Sequence, residues 1–246
     1  MDLIEFKPGQ EPVDLPLLID NEWRPARSGK RITVSNPATG ELVGHAASAD
    51  KEEAIAALQA AARAFPAWAR TSGDERAALL KKAGELVLAR QEELATLLTL
   101  EQGKPLRDAR GEVGSAAKTL IYYGEEARRI RGEIAPSKSR NTRSLVIRQP
   151  MGVVVAIVPW NYPMSLTAWK IGPALAAGCT VVVRPTSETP LAAALFSALC
   201  AEAGAPRGVV NVVTGASSEI GDELVANPLS QMIAFTGSTE VGRHLM

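Results

Sequence analysis

The sequence has few of the residues that serve as covalent crosslinks or metal ligands. Its 246 residues include two cysteines, Cys179 and Cys200, and two histidines, His45 and His244. Two cysteines cannot build a disulfide framework, and two histidines so far apart do not favour a metal site. Neither cysteine has a histidine near it in sequence. We therefore predict that no metal is bound and that both thiols are buried and unreactive.

An excess of charge and long apolar runs are absent as well. Lys and Arg total 27, as do Asp and Glu, so nothing indicates a nucleic-acid or membrane partner. The longest apolar run, Met151 to Trp160, is too short to cross a bilayer. The first ten residues lack the basic and then apolar pattern of a secretory signal. We expect a cytoplasmic α/β protein, most often an enzyme.

The first 150 residues read as a helical region with short strands. Strands are predicted at Leu17–Ile19 and Ile32–Val34. Two pairs of residues have the spacing of a helix capping box: Asp50 with Glu53, and Ser72 with Glu75. Apolar residues recur at helical spacing after both pairs, which predicts two helices.

The second of these helices is expected to continue to Gly103-Lys104-Pro105, and a third to span about Leu106 to Arg131. The apolar faces of these helices predict core packing rather than a functional role for their charges. Residues 143–148 read as a strand with few contacts to its sequence neighbours.

After Pro150 the pattern changes to short, apolar, β-branched runs separated by helical stretches. The runs occupy residues 152–158, 180–183, 209–213 and 232–235, and the helices about 166–177, 191–203 and 219–226. Buried strands separated by one helix each are typical of parallel βαβ units. Right-handed crossovers then predict an α/β fold with an open, doubly wound parallel sheet.

Ligands of such a sheet bind at the carboxyl ends of its strands. The segments that follow the four runs are polar and turn-forming: 159–163, 184–188, 214–218 and 236–242. Several of their residues have two interpretations. Gly237–Gly242 forms either an anion-binding helix start or a tight turn. Asn161 donates to a developing oxyanion or forms an Asx-turn that caps the next helix. Trp160 and Trp169 line a pocket or belong to the core.

Four segments in this order, PWNYP, KIGPALAAGCTVVVRP, VVNVVTG and FTGSTEVG, resemble the aldehyde dehydrogenase superfamily. LEQGKP at 100–105 is similar to the N-terminal region of bacterial succinate-semialdehyde dehydrogenases in that family. The resemblance covers roughly residues 15–246. It implies NAD(P)-dependent oxidation of a small-molecule aldehyde by a homo-oligomer, in which the strand at 143–148 helps to join subunits. In the family reaction a cysteine thiolate attacks the aldehyde, hydride passes to the nicotinamide, and water hydrolyses the thioester.

The resemblance also implies roles for individual residues. Asn161 would be the oxyanion donor, and Lys170 a polar residue that supports the catalytic site. Tyr162, Leu166 and Trp169 would line the aldehyde tunnel. The residues implied for NAD or NADP binding are Ile157, Val158, Pro159, Trp160, Arg184, Thr186, Ser187, Ser217, Ser218, Gly221, Phe235, Thr236, Gly237, Ser238 and Val241.

The sequence departs from the family pattern by an absence. The E-L-G-G motif of the base and the G-Q-x-C motif of the nucleophile are missing, and neither cysteine matches the latter. We therefore expect residues 151–246 to be an incomplete NAD(P)-binding part, without a catalytic domain and inactive alone. The alternatives are a non-catalytic nucleotide-binding fragment from a truncated gene and a family member that makes acyl-coenzyme A.

Two positions bear on specificity. Bacterial succinate-semialdehyde dehydrogenases have an arginine before the tunnel lysine, where this sequence has Trp169. That indole favours an uncharged or cationic aldehyde. NAD-preferring members often have a glutamate at the position of Ser187 and a lysine at that of Arg184. A neutral serine beside a guanidinium predicts that NADP is accepted, and NAD as well, unless Glu188 restores a preference for NAD.

Overall fold

The structure, a computed structural model, describes residues 12–216 and 220–245. In chain order its strands are β1 (Val13–Leu15), β2 (Leu17–Ile19), β3 (Glu22–Arg24), β4 (Arg31–Ser35), β5 (Leu42–Ala47), β6 (Glu133–Ala135), β7 (Ser144–Val146), β8 (Val153–Val158), β9 (Thr180–Pro185), β10 (Val210–Val212) and β11 (Ser230–Phe235). The helices are α1 (Lys51–Trp68), α2 (Gly73–Ala89), α3 (Gln91–Gln102), α4 (Leu106–Ala127), α5 (Pro163–Ala176), α6 (Pro190–Glu202), α7 (Asp222–Ala226) and α8 (Thr239–His244).

The largest sheet has six strands in the order β11-β8-β9-β10-β2-β3. Strands β8 to β11 run parallel, as the four apolar runs predict, and this confirms the α/β class. The prediction of a purely parallel sheet was wrong. The short strands β2 and β3 from the first segment join the sheet antiparallel beside β10, because their apolar residues cover its edge.

Alternate residues of β8 face two separate cores. Val154 and Ala156 pack in the core that contains α5 and α6, whereas Val153 and Val155 pack in the core that contains α1. All six residues of β8 are buried, which explains why its sequence is continuously apolar rather than alternating. The chain proceeds from β8 to β9 and β10 in one direction and then returns to place β11 on the other side of β8.

Both predicted capping boxes are present, at Asp50 with Glu53 and at Ser72 with Glu75. The long helix predicted after Ser72 is instead two helices. Arg90 adopts φ −107° and ψ 22°, which ends α2 and begins α3. Its side chain bonds to Glu93 within the first turn of α3, with Arg90 Nε 2.7 Å from Glu93 Oε2. The break lets α3 pack against both α4 and α6.

The strand predicted at 143–148 does have a partner nearby in sequence. β7 pairs antiparallel with β6, so these residues form a hairpin, and the prediction of few local contacts was wrong. The hairpin forms because α4 ends at Ala127, earlier than the predicted 131, and leaves the following residues extended. The helix predicted at 219–226 is the shorter α7, and residues 217–219 lie outside the described part of the chain. No helix within residues 12–216 and 220–245 is both long and apolar enough to span a membrane.

Candidate active site at the carboxyl edge of the parallel strands

The ends of β8, β9 and β11 lie side by side. Ile157 is in register with Phe235 of β11 and with Arg184 of β9. Beyond the strands, the Thr236 amide donates to the Ile157 carbonyl at 3.3 Å, and the Thr186 amide donates to the Val158 carbonyl at 3.1 Å. The three polar segments that follow these strands therefore emerge at one edge, as the strand order requires.

Lys170 connects α5 to the segment after β11. Its ammonium nitrogen lies 2.7 Å from the Thr236 hydroxyl and 3.4 Å from the Leu166 carbonyl. The residue is 7% exposed, and burial lowers the pKa of its amine to about 8. A buried amine with two neutral partners can donate hydrogen bonds at the edge of the crevice between β8 and β11.

Asn161 is exposed on the loop between β8 and α5. Its Oδ1 accepts a hydrogen bond from the Tyr162 amide at 3.1 Å. The residue directly before α5 is Tyr162, which makes no side-chain cap. Asn161 therefore does not cap α5, and that interpretation was wrong. No described residue accepts a hydrogen bond from its Nδ2, so the two amide hydrogens are available to a ligand.

Lys104 and Glu112, which the sequence interpretation did not single out, hold this loop. The Lys104 ammonium lies 3.0 Å from the Asn161 carbonyl oxygen and 4.2 Å from the centre of the Tyr162 ring. It also forms an ion pair with Glu112, whose side chain is 1% exposed. Glu112 Oε1 accepts hydrogen bonds from the amides of Met164 at 2.9 Å and Ser165 at 3.2 Å, in the first turn of α5.

Glu101 binds the first turn of α6 in the same way. Its carboxylate accepts hydrogen bonds from the amides of Leu191, at 2.5 Å, and Ala192, at 2.9 Å. Burial raises the pKa of Glu101 to about 8, against the opposing effect of the two amides. The sequence assigns these charges no functional role, and the structure gives Glu101 and Glu112 a structural one, as acceptors for the first turns of α6 and α5.

One signal could have found these contacts. Helices α5 and α6 both begin with proline, at Pro163 and Pro190, and neither has a side-chain cap in its own sequence. The free amides of such helices need acceptors from elsewhere in the chain.

A second group of polar residues follows β9. The Arg184 guanidinium donates to the Gly215 carbonyl at 3.3 Å, and the Ser187 hydroxyl donates to the same oxygen at 3.4 Å. Arg184 is 9% exposed, and burial lowers the pKa of its guanidinium. The Glu188 carboxylate accepts a hydrogen bond from the Thr186 hydroxyl. The structure thus brings a cation and two hydroxyl groups together where β9 and β10 end.

Three further residues implied for NAD or NADP binding follow later in the chain: Ser217, Ser218 and Gly221. Gly221 begins α7, directly after the buried Ile220. Ser217 and Ser218 lie outside the described residues.

The turn at Gly237–Gly242 begins α8. Ser238 Oγ accepts a hydrogen bond from the Val241 amide at 3.2 Å and so caps the helix. A Cβ at Gly237 would lie 2.4 Å from Cζ of Phe235. Glycine is therefore required for close packing on that ring, which supports the interpretation as a tight turn. Val241 is 45% exposed.

A groove lies between α4 and α5. It is lined by Trp169 from α5 and by Ser115, Lys118, Thr119, Tyr122 and Tyr123 from α4. Trp169 is 60% exposed. Leu166, half-buried against the core, and Tyr162, under the Lys104 ammonium, are not among its lining residues. Of the exposed aromatic candidates, Trp160 follows the half-buried Pro159 directly after β8.

Both cysteines are buried. Cys179 is 3% exposed and Cys200 fully buried, and burial raises the pKa of the Cys200 thiol to about 12. A thiolate nucleophile needs the opposite environment, partly exposed and with a lowered pKa. Within residues 12–216 and 220–245, no three His, Cys, Asp or Glu side chains are grouped so that they could hold a metal ion.

Comparison with known proteins agrees with this geometry. A crystal structure described as an Escherichia coli NADP-dependent enzyme superposes with a TM-score of 0.93 at 46% identity, covering 95% of this chain and 48% of that one. The sequence is 47% identical over 229 residues to a succinate-semialdehyde dehydrogenase of Escherichia coli (strain K12) whose name includes NADP(+), covering 93% of this chain and 48% of that protein. A glutarate-semialdehyde dehydrogenase of Pseudomonas aeruginosa is 46% identical over 228 residues, covering 93% and 47%.

The fold and the residues at its edge define an α/β protein similar to the N-terminal part of these dehydrogenases. A family sequence model matches residues 23–246, and the chain belongs to the aldehyde dehydrogenase family. It spans about half the length of the curated relatives that it matches.

Proposed function

We propose that the full-length protein oxidises an aldehyde to a carboxylic acid with NADP or NAD, and that this chain supplies its cofactor-binding half. The observation that carries the proposal is the Asn161 loop. It presents an exposed amide donor just beyond the carboxyl end of β8, at the same sheet edge as Thr236 and the buried Lys170 amine bonded to it. Such a donor matches the need of an aldehyde reaction to stabilise a developing oxyanion.

The cofactor site of this proposal is the edge of strands β8 to β11, taken as an incomplete Rossmann-like, doubly wound part within residues 151–246. The strand order supports this site. From β8 the chain adds β9 and β10 on one side and β11 on the other, and dinucleotides bind where the strand order of an open α/β sheet reverses in this way. Arg184 and Ser187 would hold the adenosine ribose and its phosphate, and Gly237 and Ser238 would lie at the pyrophosphate. The donor set fits an anionic ligand, because it combines a guanidinium with hydroxyl groups.

The nicotinamide of a bound cofactor would accept the hydride from the aldehyde carbon. The chain's own residues contribute the surroundings of that step. Asn161 Nδ2 would donate to the aldehyde oxygen as negative charge develops on it, and Lys170 would support the site from the other side of the crevice through Thr236. Trp160 would form a wall beside the cofactor. Neither buried cysteine is the nucleophile, so a residue outside this chain would supply it.

The groove between α4 and α5 supports a proposal for the aldehyde class. Trp169 offers a flat apolar face. The resemblance implies an arginine at this position in bacterial succinate-semialdehyde dehydrogenases. Lys118 adds a positive charge to the same groove, which disfavours a cationic aldehyde. We therefore propose an aldehyde whose far end is uncharged or anionic. Lys118→Met should raise the KM for succinic semialdehyde more than the KM for propanal. An equal change for both aldehydes would show that Lys118 does not contact the substrate.

The test of the proposed function is aldehyde-dependent reduction of NADP or NAD by the full-length protein, with and without Asn161→Ala. Loss of the oxyanion donor should lower kcat by roughly 10²- to 10³-fold and leave the KM nearly unchanged. The matched control is Asn141→Ala in an exposed turn, which should have wild-type kinetics. A change confined to the KM would reduce Asn161 to a positioning residue.

The second candidate is a non-catalytic nucleotide-binding fragment, favoured by the burial of both cysteines. Binding of NADP or NAD by the 246-residue chain, without aldehyde oxidation by any protein that contains it, would select it. We also propose a cytoplasmic homo-oligomer joined in part through the β6–β7 hairpin. The exposed apolar side chains of that hairpin support this assembly.

A further inference from the structure

The peptide group between Asn161 and Tyr162 is bonded at both of its ends. The Lys104 ammonium donates to its carbonyl oxygen at 3.0 Å, and the Asn161 side-chain oxygen accepts from its N–H at 3.1 Å. The second bond also fixes the orientation of the Asn161 amide. With Oδ1 engaged by the Tyr162 N–H, Nδ2 has no acceptor among the described residues and can serve as a donor to a ligand.

Lys104 is itself held in place by two further contacts. Its ammonium pairs with the carboxylate of Glu112, and it lies over the Tyr162 ring at 4.2 Å from the ring centre. The lysine side chain is 11% exposed and the glutamate side chain 1% exposed. An ion pair with so little exposure is far more rigid than a surface pair, in which side-chain motion and solvent weaken the contact.

Glu112 extends the same network into α5. Its other carboxylate oxygen accepts the amides of Met164 and Ser165 at 2.9 and 3.2 Å. One carboxylate thus fixes both the start of α5 and the lysine that holds the loop before it. Glu112 thus binds Lys104, and Lys104 binds the Asn161 carbonyl.

We propose that Lys104, held by Glu112, is a positioning residue that orients the Asn161 amide for oxyanion stabilisation. The inference rests on the proposed function, since it assigns Lys104 a task within the same reaction. Lys104 donates to the backbone of the loop, whereas Asn161 supplies the donor that faces the substrate. Removing Lys104 frees the peptide group to rotate, and the Asn161 amide then loses its fixed direction. Effects of this kind on a donor's geometry lower the catalytic rate more than substrate binding.

Glu101 provides an internal control for this proposal. It caps α6 with the same geometry as Glu112 caps α5, through two amides of the first turn. Among the described residues it has no contact with the Asn161 loop. A change at Glu101 therefore perturbs a helix cap without perturbing the direction of Asn161.

The kinetic test uses four variants of the full-length protein. Lys104→Met should lower kcat by about tenfold to a hundredfold with little change in the KM. Lys104→Arg should recover part of the loss, because a guanidinium can still pair with Glu112. Adding Lys104→Met to Asn161→Ala should cost almost nothing further, since the donor that Lys104 positions is already absent. Glu101→Gln should leave kcat unchanged. Losses that multiply in the double variant, or an equal loss in Glu101→Gln, would overturn the proposal.

A second readout does not depend on activity. Hydrogen exchange at the Tyr162 amide of the 246-residue chain reports on its bond to the Asn161 side chain. Lys104→Met should accelerate that exchange, whereas Lys82→Met, an exposed lysine on α2, should not. Unchanged exchange in Lys104→Met would overturn the inference whatever the reaction of the full-length protein. Faster exchange in a protein that oxidises no aldehyde would contradict the proposed function and leave the positioning of Asn161 intact.

Discussion

At the scale of single residues, we propose that Ser187 and Arg184 determine the preference between NADP and NAD. Both donate to the Gly215 carbonyl, so the two side chains lie together, and the nearby Glu188 carboxylate is engaged by the Thr186 hydroxyl. A carboxylate at position 187 would bond the ribose hydroxyls of NAD and repel the additional phosphate of NADP.

Ser187→Glu in the full-length protein should therefore lower the ratio of kcat/KM for NADP to that for NAD. The matched control is Ser139→Glu, a serine in an exposed loop, which should leave the ratio unchanged. A parent enzyme that already prefers NAD strongly, with a ratio that Ser187→Glu does not alter, would remove the basis for this assignment.

The two cysteines should not react in the folded chain. Burial raises the Cys200 pKa to about 12, and Cys179 is 3% exposed. A thiol-specific reagent should label neither residue at neutral pH until the chain is unfolded in urea, when both react. Fast labelling of one thiol in the folded chain, traced by Cys179→Ala or Cys200→Ala, would contradict this account of the site.

At the scale of helices and strands, the starts of α5 and α6 depend on carboxylates that are distant in sequence. Glu112 precedes Met164 by 52 residues, and Glu101 precedes Leu191 by 90. The Glu112 cap therefore connects α4 to α5, and the Glu101 cap connects α3 to α6. Such contacts specify the packing of the two parts, since a buried helix end without acceptors is costly.

The cap at Glu101 predicts a pH dependence of folding. Its pKa is about 8 in the folded chain against an ordinary value of 4.5. Between these pH values the folded state keeps a proton that the unfolded state has released, so this group makes the chain less stable as the pH rises. The effect is complete above about pH 8, where both states are ionised.

Glu101→Gln should remove this contribution, because glutamine does not titrate. Urea unfolding of the 246-residue chain and the variant between pH 5 and pH 8 measures it. The free energy of unfolding of the chain should fall relative to that of the variant, by up to about 1.4 kcal/mol per pH unit. Parallel pH profiles for the two proteins would show that Glu101 is ionised in the folded state.

Local signals in the sequence were sufficient for most elements. A capping box or a β-branched run determines a helix start or a strand from residues that are close in sequence. The predictions made from such signals, the helix starts at Asp50 and Ser72 and the strands of the main sheet, were confirmed. The break at Arg90 was missed because no glycine or proline marks it. The caps at Glu101 and Glu112 and the pairing of β2 with β10 join distant residues, which a periodic pattern does not reveal.

At the scale of the whole molecule, the three most exposed large apolar side chains among the described residues lie on or directly beside the β6–β7 hairpin. Ile134 is 68% exposed, and Leu145 and Ile147 are each 70% exposed. A further exposed side chain, Met232 at 47%, lies on β11, which forms one edge of the main sheet in the described part of the chain. Unpaired strand edges and apolar patches of this kind promote association.

The isolated 246-residue chain should therefore self-associate. Sedimentation velocity should show dimers or larger species, and Leu145→Lys should shift the distribution towards the monomer. Leu88→Lys, on the exposed side of α2, is the matched control and should have no effect. A monodisperse monomer with cooperative thermal unfolding would contradict this prediction.

We propose that this chain holds the cofactor site and the oxyanion donor of an aldehyde dehydrogenase without its nucleophile. The most direct test is to assay the 246-residue chain and the full-length protein side by side for aldehyde-dependent reduction of NADP and NAD. We expect reduction by the full-length protein and none by the chain alone, whose two thiols are buried. Turnover by the chain that survives Cys179→Ala together with Cys200→Ala, or no turnover by the full-length protein with any aldehyde, would contradict it.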